Sequence, residues 1–114
     1  MEPIELARKI VDALEDRKGE DILLLDLREL ALLTDYFVIA SGTSERNLKA
    51  LQDALVDEIR PQVTYKPRLE GRPGEGWLLA DFGGVIVHLF SEAQREYYGL
   101  EDLWGDAKVV LHLQ

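Results

Sequence analysis

Gly42, Thr43 and Ser44 follow the apolar run Tyr36–Ala40 almost at once and lead into a helical pattern. Backbone N–H groups left free at such a helix start can hold a phosphate. Phosphate transfer there would also need two or three clustered carboxylates to hold Mg²⁺. No Asp-x-Asp pair stands at a suitable place. Asp53 and Asp57 lie on the helix itself, and Asp26, Asp35 and Asp81 fall at strand ends in three separate elements. The residues serve better as structure. Ser44 is placed to cap the helix, and Glu45 puts negative charge at its positive end.

His88 lies inside the apolar run Ile86–Phe90, on the side it shares with Ile86 and Phe90. A lone histidine in that setting reads as hydrogen-bonded structure rather than as a ligand. His112, in the tail, is the one other histidine, and the chain has no cysteine. No metal site is therefore expected. Ser41, Ser44 and Ser91 all read as turn or cap residues, and nothing marks one as an activated nucleophile. No catalytic residue is assigned and no cofactor is expected.

Trp77, Tyr98 and Trp104 are large aromatics with a polar handle, and each alone reads as core packing. Together with Arg95 they have the composition of an interface centre, where Tyr, Trp and Arg are enriched. Arg95 and Tyr98 stand three apart on one helix face. Trp77 stands at the start of a strand, beside a glycine-rich loop.

These residues must be held by the elements around them. Ile4, Ala7, Ile10, Val11 and Leu14 recur at helical spacing, with Gly19 as a stop, and predict a helix over 4–18. Ile22–Leu25 reads as a short buried strand, and 27–33 as a helical turn or loop. The unbroken run from Tyr36 reads as a strand buried on both faces and ending at Ser41. Leu48, Leu51, Leu55 and Ile59 predict the longest helix, from Ser44 to Arg60, with Pro61 at its end. Val63–Arg68 reads as an edge strand, and Glu70–Gly76 as a loop, expected to be mobile. Trp77–Phe82 and Val85–Phe90 flank Gly83-Gly84 and predict a hairpin. Ser91 opens a short helix with a capping-box pattern and Gly99 stops it at Tyr98. Leu100–Trp104 reads as an amphipathic turn, and the tail from Lys108 as a last strand or a loosely ordered end. The expected architecture is one α/β domain over 1–114, with a mixed five-stranded sheet and flanking helices.

The bulk numbers agree. The chain has 114 residues and a hydrophobic content of 46%, enough for one packed core. No apolar run approaches the roughly 20 residues needed to span a bilayer, and Met1–Glu5 carries no basic targeting segment. A cytoplasmic protein is expected. The net charge of −9, from 22 acidic and 13 basic residues, opposes nucleic-acid backbones, so direct nucleic-acid specificity is not expected. Such a surface can still dock on basic proteins of a nucleic-acid machine.

A set of short pieces then resembles the Iojap-type ribosomal silencing factors: Thr34-Asp35-Tyr36-Phe37-Val38-Ile39; Ser41-Gly42-Thr43-Ser44 with Arg46; Glu70-Gly71; Trp77; Asp81; Gly83; Val87-His88; Arg95 with Tyr98; and Leu100-Glu101-x-Leu103-Trp104. They span most of the chain in the family's order and spacing. One departure is Gly84, where the family usually has an acid. The resemblance implies a nucleotidyltransferase-like fold without that activity. It implies binding to the large ribosomal subunit through ribosomal protein L-fourteen, steric exclusion of the small subunit, and repression of translation when nutrients are scarce. A second copy of the chain is a further candidate partner. The alternative is a nucleotidyltransferase-like enzyme that keeps a reduced site around Gly42, Ser44 and Asp81.

The expected partner-binding residues are Trp77, Asp81, His88, Arg95 and Tyr98. If Gly83-Gly84 is a two-residue turn, Asp81 pairs with Ile86, Leu79 with His88 and Trp77 with Phe90. That register puts Trp77, Leu79, Asp81, Ile86 and His88 on one face. An acid, a histidine and a tryptophan are costly to bury against a core and more natural at a functional surface.

Overall fold

The computed structural model describes residues 1–30 and 34–114. The last three positions of the expected turn over 27–33 lie outside the described residues; Arg28–Leu30 form a 3₁₀ turn. Helix α1 (Pro3–Asp16) begins on Pro3, whose missing N–H costs nothing in a first turn, and buries Leu6, Ala7, Ile10, Val11 and Leu14. Strands β1 (Glu20–Asp26) and β2 (Tyr36–Gly42) follow, and β2 is buried along its whole length, as a continuous apolar run demands. Helix α2 (Glu45–Ala54) starts from Ser44, whose Oγ accepts from the Asn47 backbone N–H.

The expected single helix from Ser44 to Arg60 is not what forms. α2 ends at Ala54, a π-helical turn covers Leu55–Ile59 and a 3₁₀ turn covers Arg60–Gln62. The longest helix is instead α1, with 14 residues against 10. The reason lies in the spacing of Leu51, Leu55 and Ile59. Steps of four drift around a 3.6-residue helix, and a wider turn takes up the drift. All three side chains end up buried.

The sheet has six strands rather than five, in the order β3-β4-β5-β2-β1-β6. The third strand, β3, is Arg68–Arg72 and not Val63–Arg68, so part of the expected Glu70–Gly76 loop is strand. The glycine-rich remainder closes as a 3₁₀ turn over Pro73–Glu75. β4 (Trp77–Asp81) and β5 (Val85–Ser91) form the hairpin on the expected register: Trp77 opposite Phe90, Leu79 opposite His88, Asp81 opposite Ile86. β2 and β5 are parallel, and the other pairings are antiparallel. Helices α3 (Glu92–Tyr98) and α4 (Leu100–Leu103) come next, and the tail forms the sixth strand, β6 (Lys108–Leu113), against β1. β3, expected over other residues, and β6, one of the two outcomes expected for the tail, are the sheet's edge strands. With a neighbour on one side only, neither needs an unbroken apolar run.

The strands divide their side chains between two layers. Ile22, Leu24, Val38, Ala40, Leu78, Ala80, Val87 and Leu89 pack with α1 and α2 in the main core. Leu23, Leu25, Phe37, Ile39 and Phe90 face the other way and form a smaller cluster, joined by half-buried Trp77, Ile86, Leu100 and Trp104.

Candidate functional site

The second layer is where the expected site residues gather. β4 and β5 put Trp77, Leu79, Asp81, Ile86 and His88 on this face by simple alternation. β3 extends it with Arg68, Glu70 and Arg72, opposite Asp81, Leu79 and Trp77. Short α3 and α4 roof only part of it, leaving Trp77, Leu79, Ile86 and Trp104 half-buried.

His88 lies at the centre. It is only 9% exposed, and neither ring nitrogen has a hydrogen-bond partner among the described residues. Its ring stacks on Phe90 at 6.1 Å and meets the edge of Phe37 at 4.9 Å. Burial pushes its pKa down to about 4, so the imidazole is neutral at physiological pH. The expected hydrogen-bonded histidine is thus a buried one without partners among the described residues. Beside it, Trp77, His88, Phe90, Tyr98 and Leu100 line a slot of about 240 Å³. Tyr98 is 53% exposed and leans on Phe90 at 5.7 Å.

Asp81 lies at the turn end of this face. Its Oδ1 accepts from the Gly83 backbone N–H at 2.8 Å, and its Oδ2 is 3.8 Å from Arg68. Arg95 does not share an exposed face with Tyr98. It is 7% exposed and reaches inward, where its guanidinium donates to the Asp21 carbonyl, to Ser41 Oγ at 3.0 Å and to the Glu101 carboxylate. It pins the α3–α4 roof to the ends of β1 and β2. Asp21, at φ 50, is one of two non-glycine residues in the left-handed region among the described residues, and its carboxylate also holds His112.

The Gly42–Ser44 turn is occupied by its own chain. Asn47 Oδ1 accepts from the Thr43 N–H, and Ser44 Oγ accepts from the Asn47 N–H, both at 3.0 Å. A Cβ on Gly42 would come 2.7 Å from the buried Leu48 side chain, so close packing explains the glycine. Among the described residues no three His, Asp or Glu side chains form a group that could hold a metal ion. No described helix is long and apolar enough to cross a membrane.

Comparison with known proteins decides among families. The family model described as "Ribosomal silencing factor during starvation" matches residues 1–114. The chain belongs to the ribosomal silencing factor family. A relative named as a ribosomal silencing factor in Halalkalibacterium halodurans is 39% identical over 93% of this chain and 91% of its own. A crystal structure from Chromobacterium violaceum, 38% identical, superposes with a TM-score of 0.83 over 92% of this chain and 88% of that one. A mouse protein named for mitochondrial assembly of the ribosomal large subunit is 36% identical over 83% of this chain and 43% of its own length. The first of these names describes silencing, and the mouse name describes assembly.

Within this family frame, Gly84 has a local explanation. A Cβ there would come 3.0 Å from Pro3 and 3.7 Å from the Asp35 carboxylate. The hairpin turn is tucked against the start of α1, and its Gly84 carbonyl accepts from the Asp35 and Tyr36 N–H groups. Phe37 and Leu100 were not among the expected site residues. β2 reads as buried on both faces, which hides the fact that one of those faces adjoins the site. Leu100 reaches the slot because the chain reverses at Gly99, which has φ +57.

Proposed function

We propose that this protein binds the large ribosomal subunit through the half-roofed sheet face and sterically blocks subunit joining, lowering translation when nutrients are scarce. Its contact on the subunit is ribosomal protein L-fourteen. The observation that carries the reading is the Trp77–His88–Tyr98 surface, where aromatic side chains stay half-covered around a neutral imidazole. Tyrosine and tryptophan are the residue types enriched at the centres of protein interfaces. Trp77 supplies the apolar anchor, and Tyr98 the rim. Asp81, held in place by Gly83, presents its carboxylate to a basic group. Arg95 acts from beneath by fixing the roof that carries Tyr98. The net charge of −9 suits a basic ribosomal protein. The mouse relative's name supports the choice of subunit. The enzyme alternative has less behind it, because the backbone donors at Thr43 and Asn47 are already satisfied.

Co-sedimentation with separated ribosomal subunits tests the reading. The parent protein pellets with large and not with small subunits. Trp77→Ala weakens binding by ~2–4 kcal/mol as an interface anchor would. Asp81→Lys weakens it further at low salt than at high salt. Parent-like binding by both folded variants would place the contact elsewhere.

A further inference from the structure

Resting on that docking surface, we infer that the slot beside Trp77 receives one side chain of the partner protein, an aromatic ring tipped with a hydroxyl, and that His88 is its hydrogen-bond partner. Three observations converge. First, the slot of about 240 Å³ is of a size to take a single ring, and its walls are apolar: Trp77, Phe90, Tyr98 and Leu100. Second, His88 forms the remaining wall, and its two ring nitrogens are buried with no partner among the described residues. A buried polar group left unpaired destabilises the free protein, so an imidazole here needs a compensating role. Third, the imidazole is neutral, with one N–H donor and one acceptor nitrogen. A hydroxyl matches it in either direction. A cationic tip fits worse, because the slot has no carboxylate lining and Arg72 lies opposite Trp77 on the neighbouring strand. A phenyl ring without a hydroxyl would leave His88 as unpaired as before. Tyrosine meets all of these conditions. Both nitrogens are shielded in the free protein, so entry requires the slot to widen, and Tyr98, the one exposed residue of its lining, is the wall placed to shift.

The test needs no ribosome, which separates its failure from failure of the docking reading. The full chain, labelled with ¹⁵N, is titrated with p-cresol, toluene and n-propylguanidinium as probes for tyrosine, phenylalanine and arginine side chains. p-Cresol is expected to shift the His88 ring nitrogens and to bind about fivefold tighter than toluene, the worth of one neutral hydrogen bond. In His88→Leu and His88→Phe the two neutral probes bind alike. Equal binding of p-cresol and toluene to the parent overturns the inference. So does tighter binding of n-propylguanidinium, or p-cresol binding that leaves the His88 nitrogens unmoved.

Discussion

Under α1 and α2 the sheet presents mainly aliphatic side chains, Leu24, Val38, Leu78 and Val87 in one cluster with Leu14, Leu51 and Leu55, and Tyr36 as the one aromatic from the strands there. Across the same strands the opposite layer holds Phe37, His88, Phe90 and Trp77, and four residues of α4 with seven of α3 roof it incompletely. One strand serves both. On β5, Val85, Val87 and Leu89 enter the closed layer, while Ile86, His88 and Phe90 enter the open one. A period of two lets a seven-residue strand anchor the fold and display a surface at once. Among the described residues, the one polar tip in the closed layer's cluster is the Tyr36 hydroxyl. The open layer carries an imidazole with neither nitrogen paired among the described residues, which destabilises the free protein.

Five substitutions test that contrast. The largest effect is expected where the open layer's roof is pinned. Arg95→Met leaves the Glu101 carboxylate, the Asp21 carbonyl and the Ser41 hydroxyl without their charged donor, and three such bonds together are worth about 3–5 kcal/mol. Chemical denaturation measures it, and a loss under about 1 kcal/mol would mean the roof is held by other contacts. On the closed layer, Leu51→Ala opens a cavity at a fully buried site and costs roughly 2–5 kcal/mol. The half-buried Leu79→Ala on the open layer should cost less than half as much. Equal losses would erase the distinction between the layers.

His88 should give the open layer a pH dependence that the closed one lacks. Above about pH 6.5 the imidazole is neutral in both folded and unfolded chains. Below it the unfolded chain takes up a proton that the folded chain refuses until about pH 4. Stability therefore falls as the pH drops through that window, by about 3 kcal/mol at its foot. His88→Leu removes this contribution and gains ~1–3 kcal/mol at neutral pH by deleting unpaired polar atoms. Parallel stability–pH curves for parent and variant would show that His88 is not the buried group described. The smallest effect is expected at Gly84. Gly84→Asp crowds Pro3 and faces Asp35, for a loss of about 1 kcal/mol or less.

Much of this contrast was legible in the residues. Gly83-Gly84 set the hairpin register, and the register alone put Trp77, Asp81 and His88 on one face. The caps at Ser44 and Ser91 follow from side-chain chemistry and formed as expected. What escaped depends on neighbours that a single segment does not reveal. β3 is an edge strand with little burial, and without its strand neighbour its polar residues look like loop, while β6, at the other edge, left the tail open between strand and loose end. Arg95 reads as an exposed helix residue because its partners, Asp21 and Ser41, stand 74 and 54 positions away. The histidine's want of partners among the described residues is a three-dimensional fact, since in sequence it reads as a core residue satisfied by something nearby.

On binding, the open layer is expected to meet the ribosome and the closed layer to stay clear of it. Hydroxyl-radical footprinting of the protein bound to large subunits tests it most directly, using residues whose free exposure is known. Trp77 and Tyr98 are expected to be protected on binding, while Met1, which is exposed just before α1, oxidises as in the free protein. Protection of Met1 with unchanged oxidation of Trp77 and Tyr98 would contradict the account.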